Sequence, residues 1–268
     1  MREFVETLQG VTVDNENREK RLKAEAEFQD RRIVESHHGE AEQRDRFYFL
    51  TERAKKAYWD ALGDIRGQRV LVVGCAEGGV TPLARRGAVV TGIDISSEAV
   101  KALSSNILRE GLSDVADAQV MDAEMLSFPE HSFDFICCAG VLHHLDTARA
   151  IESWRRVLRP SGRVVMIEPM AWNPVVMLYR WLTPSMRTSD EHPLKPKDFK
   201  IMRASFRGAE ARGFVLTSLA ALIWVFIPNV LDMKNKTMRI LEWLDDRLLK
   251  ILPPLKYFCW TVVVELSV

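Results

Sequence analysis

The sequence lacks several features that would place a protein in a class at once. Among its 268 residues, 37 are basic and 37 are acidic, so there is no excess charge of either sign. Proteins that bind nucleic acid by long-range attraction carry such an excess of basic charge. There are only four cysteines (Cys75, Cys137, Cys138 and Cys259), and their spacing fits neither a zinc site nor a disulfide framework. The sequence therefore predicts neither nucleic acid nor a metal ion as a partner.

Long apolar runs are also missing. The first ten residues, MREFVETLQG, do not contain the apolar stretch of a secretory signal, which together with the unpaired cysteines predicts a cytoplasmic protein. The longest mainly apolar run, FVLTSLAALIWVFI, has 14 residues and ends before Pro228. A helix that spans a bilayer needs about 20 such residues, so we expect no spanning segment.

The middle of the chain alternates short apolar runs with helical patterns. This alternation is typical of β-α units around a parallel sheet whose two faces are both buried. It predicts a doubly wound α/β fold with five strands, at Val70 to Val73, Ala88 to Ile93, Ala118 to Met121, Phe133 to Cys138 and Arg163 to Ile167.

Small and acidic residues follow the predicted strands, at the sheet edge where doubly wound proteins bind ligands. Gly74 and Gly78 follow the first strand, and glycine there lets the backbone approach a ligand closely. Asp94 ends the second strand, where a carboxylate can accept hydrogen bonds from both hydroxyls of a ribose. A glycine turn followed by an acid about 20 residues later also fits a dinucleotide site.

The segment from about Gln68 to Pro169 resembles the core of the class I S-adenosylmethionine-dependent methyltransferases, in the style of the ubiquinone and menaquinone branch. The motifs VLVVGCAEGG, VTGIDIS, DAEMLSFPEHSFDFI, VLHHL and LRPSGRVVMIEP carry the resemblance. It implies a Rossmann-like, mostly parallel sheet of seven strands, with a terminal antiparallel hairpin from residues 214 to 219 and 257 to 266. It also implies S-adenosylmethionine as cofactor and S-adenosylhomocysteine as product, and it disfavours a dinucleotide.

The resemblance further assigns the residues that would hold the cofactor. The glycine loop would line the methionine part, Asp94 would hold the ribose, and Asp122 with Ala123 would hold the adenine. The full set implied is Gly74, Cys75, Ala76, Gly78, Asp94, Ile95, Asp122, Ala123, Glu124, Ala139 and Gly140.

Two positions depart from the pattern of this family. Val72 stands where many relatives carry an acid that organises the glycine loop, and Ala76 replaces the middle glycine. These departures keep a second hypothesis open, that of a protein which binds S-adenosylmethionine without transferring a methyl group. A macromolecule methyltransferase is a third hypothesis, which the balanced charge disfavours. The leading expectation is methyl transfer to oxygen or activated carbon of a small, hydrophobic metabolite.

Transfer to oxygen or carbon requires removal of a proton, for which histidine is suited by its near-neutral pKa. His143 and His144 follow the fourth strand, and either could act as the base, although one of them could simply pack against the core. Glu168, after the fifth strand, and His192 are further candidates for a catalytic role. His37 and His38 are weaker candidates, for which exposure to solvent is the alternative.

The ends of the chain differ in composition from the middle. Residues 1 to 60 are highly charged and predict a helical cap that closes over the cofactor, leaving 61 to 268 as the methyltransferase domain. Insertions at about 171 to 207 and 220 to 256 are expected to bind substrate. Trp172, Tyr179, Trp181 and Met186 could form an apolar wall, beside a polar cluster of Arg187, Asp190, Glu191 and His192. The second insertion could cover substrate, meet a membrane surface, form a homodimer or pack as ordinary core.

Overall fold

A computed structural model describes residues 2–35, 49–75, 79–188, 191–227 and 231–268. Its centre is a seven-stranded sheet in the order β3-β2-β1-β4-β5-β7-β6. The strands are β1 (Arg69–Val73), β2 (Val89–Asp94), β3 (Ala116–Val120), β4 (Phe133–Ala139), β5 (Leu158–Pro169), β6 (Gly208–Phe214) and β7 (Thr261–Ser267). The first five strands pair in parallel, whereas β7 is antiparallel to both β5 and β6.

Helices surround this sheet. The α-helices are α1 (Arg2–Glu35), α2 (Glu52–Leu62), α3 (Val80–Arg85), α4 (Ser97–Arg109), α5 (Thr147–Val157), α6 (Pro174–Leu182), α7 (Pro196–Ser205) and α8 (Leu231–Ile251). Side-chain caps fix where several of them begin. Ser96 accepts a hydrogen bond from the Ala99 N–H at the start of α4, and Asp146 and Asn173 cap α5 and α6 in the same way.

Two large apolar clusters lie in the core. One includes Trp154 of α5 and Met166 of β5, and the other includes Val70 of β1 and Leu103 of α4. Because helices cover both sides of a parallel sheet, its central strands carry apolar residues on both faces. β1 illustrates this rule, since Val70, Leu71, Val72 and Val73 are all buried.

The structure confirms the doubly wound fold and the five predicted strands, with small differences at their ends. The prediction for the first strand of the terminal hairpin was wrong, because this strand is Gly208–Phe214 and does not lie at residues 214 to 219. Its sequence, GAEARGF, has mostly small residues with two charged ones, and no residue in it is buried, as suits the edge strand of the sheet. The apolar run that follows it turns instead into a 3₁₀ helix, Ser218–Phe226, and packs under α8.

Helices lie between the last strands of the sheet. α6 and α7 separate β5 from β6, and the 3₁₀ helix and α8 separate β6 from β7. Among the described residues, no helix is both long enough and apolar enough to cross a membrane.

Candidate functional site

A cavity of about 200 Å³ opens at the carboxyl ends of β1, β2, β3 and β4. Gly74, Asp94, Asp122 and Gly140 line it from the sheet side, one from the end of each strand. The opposite wall is α1, which contributes Arg21, Leu22, Glu25, Gln29, Arg32 and Ile33. The cavity therefore lies between the sheet edge and the N-terminal helix.

Gly74 allows the chain to turn sharply at the floor of the cavity. Its φ is +77°, a conformation that residues with a side chain rarely adopt. A Cβ atom at this position would lie 2.2 Å from Cγ2 of Val141, which is closer than any real contact. Both the backbone conformation and the space thus require glycine here.

Asp94 shapes the loop that follows β1 as well as the cavity wall. Its Oδ2 accepts the Cys75 N–H at 3.0 Å, and its Oδ1 accepts the Ser96 N–H at 2.9 Å. The side chain is buried, and the ends of β1 and β2 meet at it. This position is the one that the family resemblance assigns to the ribose hydroxyls.

Asp122 and Glu124, just beyond β3, anchor the N-terminal helix. Arg18 forms an ion pair with both carboxylates, and Arg21 pairs with Glu124 at 2.5 Å. Glu124 also accepts the Asp146 N–H at 2.8 Å, and it is buried behind the cavity wall. Asp122 lines the cavity while Glu124 does not. Sequence reasoning missed both arginines, because nothing in a charged helix shows which of its residues face inward.

His143 belongs to a buried polar network next to the cavity. Its Nδ1 lies 2.7 Å from Oε2 of Glu168, and its Nε2 lies 3.4 Å from Oε1 of Glu191. Burial lowers the pKa of His143, but the two glutamates outweigh this effect and raise it to about 9. Glu191 in turn forms an ion pair with Arg180 at 2.5 Å. His143 is therefore held on both ring nitrogens.

Glu168 is the central acceptor of this network and is fully buried. Its Oε1 accepts the N–H groups of Val141 and Leu142 at 2.9 and 2.8 Å, and its Oε2 faces His143. Burial raises the pKa of Glu168, but the charge of His143 and these hydrogen bonds outweigh it and lower the pKa below its usual value. Glu168 thus stays ionised and orients His143 and the turn after β4.

His144 faces the cavity itself. Its Nδ1 lies 3.1 Å from Oε1 of Glu25 on α1, without the alignment of a hydrogen bond. Burial raises the pKa of Glu25, but His144, Gln29 and Thr188 outweigh this effect and lower it to about 2. An ionised carboxylate therefore stands beside the imidazole of His144. The sequence did not point to Glu25, because this partner comes from a distant helix.

Within the described part of the chain, one group of side chains has the spacing of a metal site. His143, His144 and Glu191 each offer a ligand atom, and these atoms lie within 4.8 Å of one another. Two of the three are already engaged, since Glu168 holds His143 and Arg180 holds Glu191. A metal ion here would have to displace the ion pair between Arg180 and Glu191.

The other predicted site residues fall in different places. Ile95, Ala123, Ala139 and Gly140 line the cavity, whereas Cys75 is buried behind it. The His192 N–H donates to the His143 carbonyl at 2.8 Å, which places His192 behind the His143 network. The four residues of the expected apolar wall do not line this cavity and are exposed on and around α6: Trp172, Tyr179, Trp181 and Met186. Ala76, Gly78, His37, His38 and Asp190 lie outside the described residues.

The geometry of the cavity fits the cofactor that the family resemblance implies. Carboxylates of Asp94 and Asp122 can accept hydrogen bonds from hydroxyl and amino groups, and both face the cavity. Apolar side chains between them, from Ile93, Ile95 and Met121, suit the faces of an adenine ring. Gly74 has no side chain, so the floor of the cavity stays open at this position.

Comparisons with known proteins agree with this geometry. Residues 71–166 match the family model described as "Methyltransferase domain". A ubiquinone biosynthesis O-methyltransferase from Paracidovorax citrulli is 34% identical over 107 residues, which cover 39% of this chain and 45% of that protein. A phosphatidylethanolamine N-methyltransferase from Cereibacter sphaeroides is also 34% identical, over 40% of this chain and 53% of that protein. The chain thus spans about half the length of these curated relatives.

Solved structures show the same fold at low sequence identity. A geranyl diphosphate C-methyltransferase from Streptomyces coelicolor superposes with a TM-score of 0.56 and 14% identity, over 81% of this chain and 77% of that one. The cyclase SpnF superposes with a TM-score of 0.51 and 19% identity, over 80% of this chain and 79% of that one. The family match and the curated relatives show that residues 71–166 are similar to a methyltransferase domain, and the solved structures show that the chain has the same fold as these two proteins.

Proposed function

We propose that this protein transfers the methyl group of S-adenosylmethionine to an oxygen or activated carbon of a small, hydrophobic acceptor. This proposal rests on the cavity. The ring of His144 lines the same space as Gly74, Asp94 and Asp122, the residues that the family resemblance assigns to the cofactor. Curated relatives of the matched segment are a ubiquinone biosynthesis O-methyltransferase and a phosphatidylethanolamine N-methyltransferase, whose names refer to ubiquinone and to phosphatidylethanolamine. Both are small molecules, which supports an acceptor of that kind.

The chemistry demands little of the protein. When bound, S-adenosylmethionine supplies a methyl group that is already activated on a sulfonium. The residues of the chain then have to hold the acceptor in line, keep water out and accept the proton that the acceptor loses. Of the four predicted catalytic candidates, His144 alone lines the cavity.

We assign proton removal to His144, with Glu25 as its positioning residue. Glu25 stays ionised, and its Oε1 lies 3.1 Å from Nδ1 of His144, so this carboxylate can hold the imidazole ring in place. His143 and Glu168 are held by other partners and orient the turn that carries His144. His192 supports the same turn through its backbone.

The experiment compares His144→Asn with His131→Asn in a methyl-transfer assay. Hydrophobic phenols and isoprenoid alcohols serve as acceptors, and mass spectrometry detects the methylated product. His131 is a matched control, since it binds the Leu158 carbonyl away from the cavity and its φ of +55° is one that asparagine tolerates. We expect His144→Asn to lower kcat by about 10² to 10⁴ while cofactor affinity changes only a few-fold.

Two results would contradict this proposal. Full turnover by a folded His144→Asn variant would show that His144 is not the base. Cofactor binding with no transfer to any acceptor would favour the hypothesis of a protein that does not methylate. The fold is compatible with that hypothesis, because the cyclase SpnF has the same fold.

We further propose that the N-terminal helix α1 acts as a cap over the bound cofactor. Its contacts support this role: Arg18 and Arg21 reach Asp122 and Glu124, and Asp30 accepts the hydroxyl of Ser96 at 2.5 Å. Limited proteolysis tests it. We expect S-adenosylhomocysteine to slow cleavage within α1 several-fold, whereas equal cleavage with and without this ligand would contradict a cap.

A further inference from the structure

Helix α8 presents an exposed stripe that is not part of the core. The stripe follows the spacing i, i+3, i+7, i+10, i+14 and i+18, which keeps its residues on one face of a helix. Its members are Met233, Lys236, Ile240, Trp243, Arg247 and Ile251, and all six are exposed. Ile240 is 56% exposed and Trp243 is 57% exposed, which is unusual for large apolar side chains that lie one turn apart.

The opposite face of α8 already provides the contact with the domain. Met238 is buried in a cluster with Leu50 and Leu219, and Leu241 packs against the same cluster. Asp245 is buried as well and accepts hydrogen bonds from the backbone and hydroxyls of Thr217 and Ser218. The exposed stripe is therefore a second face of α8, and the core contacts of the described residues do not use it.

Charge on the stripe indicates what would cover it. Lys236 and Arg247 alternate with the apolar residues, and Lys250 is exposed one residue before the end of the stripe. The guanidinium of Arg247 lies over the ring of Trp243, 5.4 Å from its centroid. No member of the stripe is acidic, and the acidic Asp246 on another face pairs with Arg53. Apolar side chains interleaved with cations are typical of helices that lie in the surface of an anionic membrane.

A second copy of the chain is a poorer partner for this stripe. In a twofold dimer the same surface meets itself, so the cations of one stripe would face the stripe of the other subunit, which holds cations and no acidic residue. Like charges placed together across an interface oppose association. A lipid surface with negative headgroups has the complementary charge.

We propose that the stripe of α8 binds an anionic lipid bilayer, with the helix lying parallel to the membrane surface. The apolar residues Ile240 and Trp243 would enter the boundary between headgroups and acyl chains, while Lys236 and Arg247 contact the headgroups. This inference does not depend on the chemistry of methyl transfer, although it would bring the domain close to hydrophobic acceptors.

Vesicle sedimentation tests the proposal with the full chain. The vesicles contain phosphatidylcholine alone or phosphatidylcholine with phosphatidylglycerol. We expect the protein to bind the anionic vesicles and to bind the neutral ones at least about 10-fold more weakly. Each cation near an anionic surface contributes about fivefold in affinity, so Lys236→Glu with Arg247→Glu should weaken binding by about 25-fold or more. Ile240→Ser with Trp243→Ser removes the apolar part and should abolish sedimentation.

A matched control lies on α4, where Leu108 is 73% exposed and Lys101 is exposed on the same helix. Leu108→Ser with Lys101→Glu should bind vesicles as the parent does. Absence of binding to anionic vesicles, or equal binding by stripe and control variants, would overturn the proposal. A dimer that light scattering detects in the parent and that the stripe variants lose, without any vesicle binding, would also overturn it. Cofactor affinity measured on the same variants should stay unchanged, which separates this inference from the proposed function.

Discussion

Replacing Glu168 with glutamine perturbs the buried network that orients the turn after β4. Glutamine has nearly the same volume and keeps one oxygen that can accept the Val141 and Leu142 N–H groups. The other oxygen becomes an amide N–H₂ group, which cannot accept a hydrogen bond from His143. The substitution therefore removes a charge rather than a packing contact.

The size of the effect follows from the pKa of His143. Its glutamate partners outweigh burial and raise this pKa from 6.5 to about 9. A shift of this size corresponds to roughly 3 kcal/mol, which Glu168 and Glu191 share. Glu168→Gln also weakens the two hydrogen bonds from the backbone N–H groups, because their acceptor loses its charge. This loss adds roughly 1–2 kcal/mol to the destabilisation.

The pH dependence has a definite sign. A group whose pKa is raised on folding stabilises the folded state fully below its unfolded pKa, and this stability is lost as the pH rises through the folded value. The ion pair of His143 thus contributes fully to the free energy of unfolding below pH 6.5, and this contribution is lost above about pH 9. We expect Glu168→Gln to lower the free energy of unfolding by roughly 2–4 kcal/mol near pH 6 and by roughly 1–2 kcal/mol near pH 9.5.

Urea denaturation, followed by circular dichroism at both pH values, measures this difference. His131→Asn is the control, because His131 lies outside the network and binds a carbonyl. An equal loss of stability at both pH values would refute the assignment of a charged pair between Glu168 and His143.

Two further substitutions test other parts of the fold by thermal or urea unfolding. Gly74→Ala should lower the free energy of unfolding by about 1–3 kcal/mol, because the φ of Gly74 is positive and the new Cβ would meet Val141. A variant whose free energy of unfolding is within about 0.5 kcal/mol of the parent's would contradict this. Asp245→Ala should cost about 3 kcal/mol or more, since it leaves the buried N–H and hydroxyl of Ser218 and the partly buried N–H of Thr217 without their acceptor. An unchanged melting temperature would show that α8 is held by apolar contacts alone.

Sequence patterns predicted the parallel half of the sheet well, for a physical reason. Strands that are buried on both faces need short runs of apolar residues, and such runs stand out between charged helices. The edge strand β6 needs no such run, because none of its residues is buried. Its small residues and two charged ones therefore gave no strand pattern in the sequence. The nearby apolar run was mistaken for the strand, although it packs beneath α8.

The candidate site was predictable to the extent that it follows the strand ends. Asp94 and Asp122 could be placed because parallel strands end at the same edge. The roles of His143 and His144 could not be separated, since adjacent residues with the same side chain differ only in the direction in which they face. Glu25 and Arg18 could not be found either, because contacts between a distant helix and a loop depend on how the helix docks.

The most direct test of the central claim is calorimetric titration of the protein with S-adenosylmethionine. We expect one binding site per chain, and we expect Asp94→Ala to weaken it by about 30-fold or more, which is about 2 kcal/mol, because a buried carboxylate would lose its bond to the ribose. Asp117→Ala, on the exposed part of β3, should bind as the parent does. Circular dichroism confirms that each variant is folded. A parent protein that does not bind S-adenosylmethionine, or a folded Asp94→Ala variant that binds it equally well, would contradict the account.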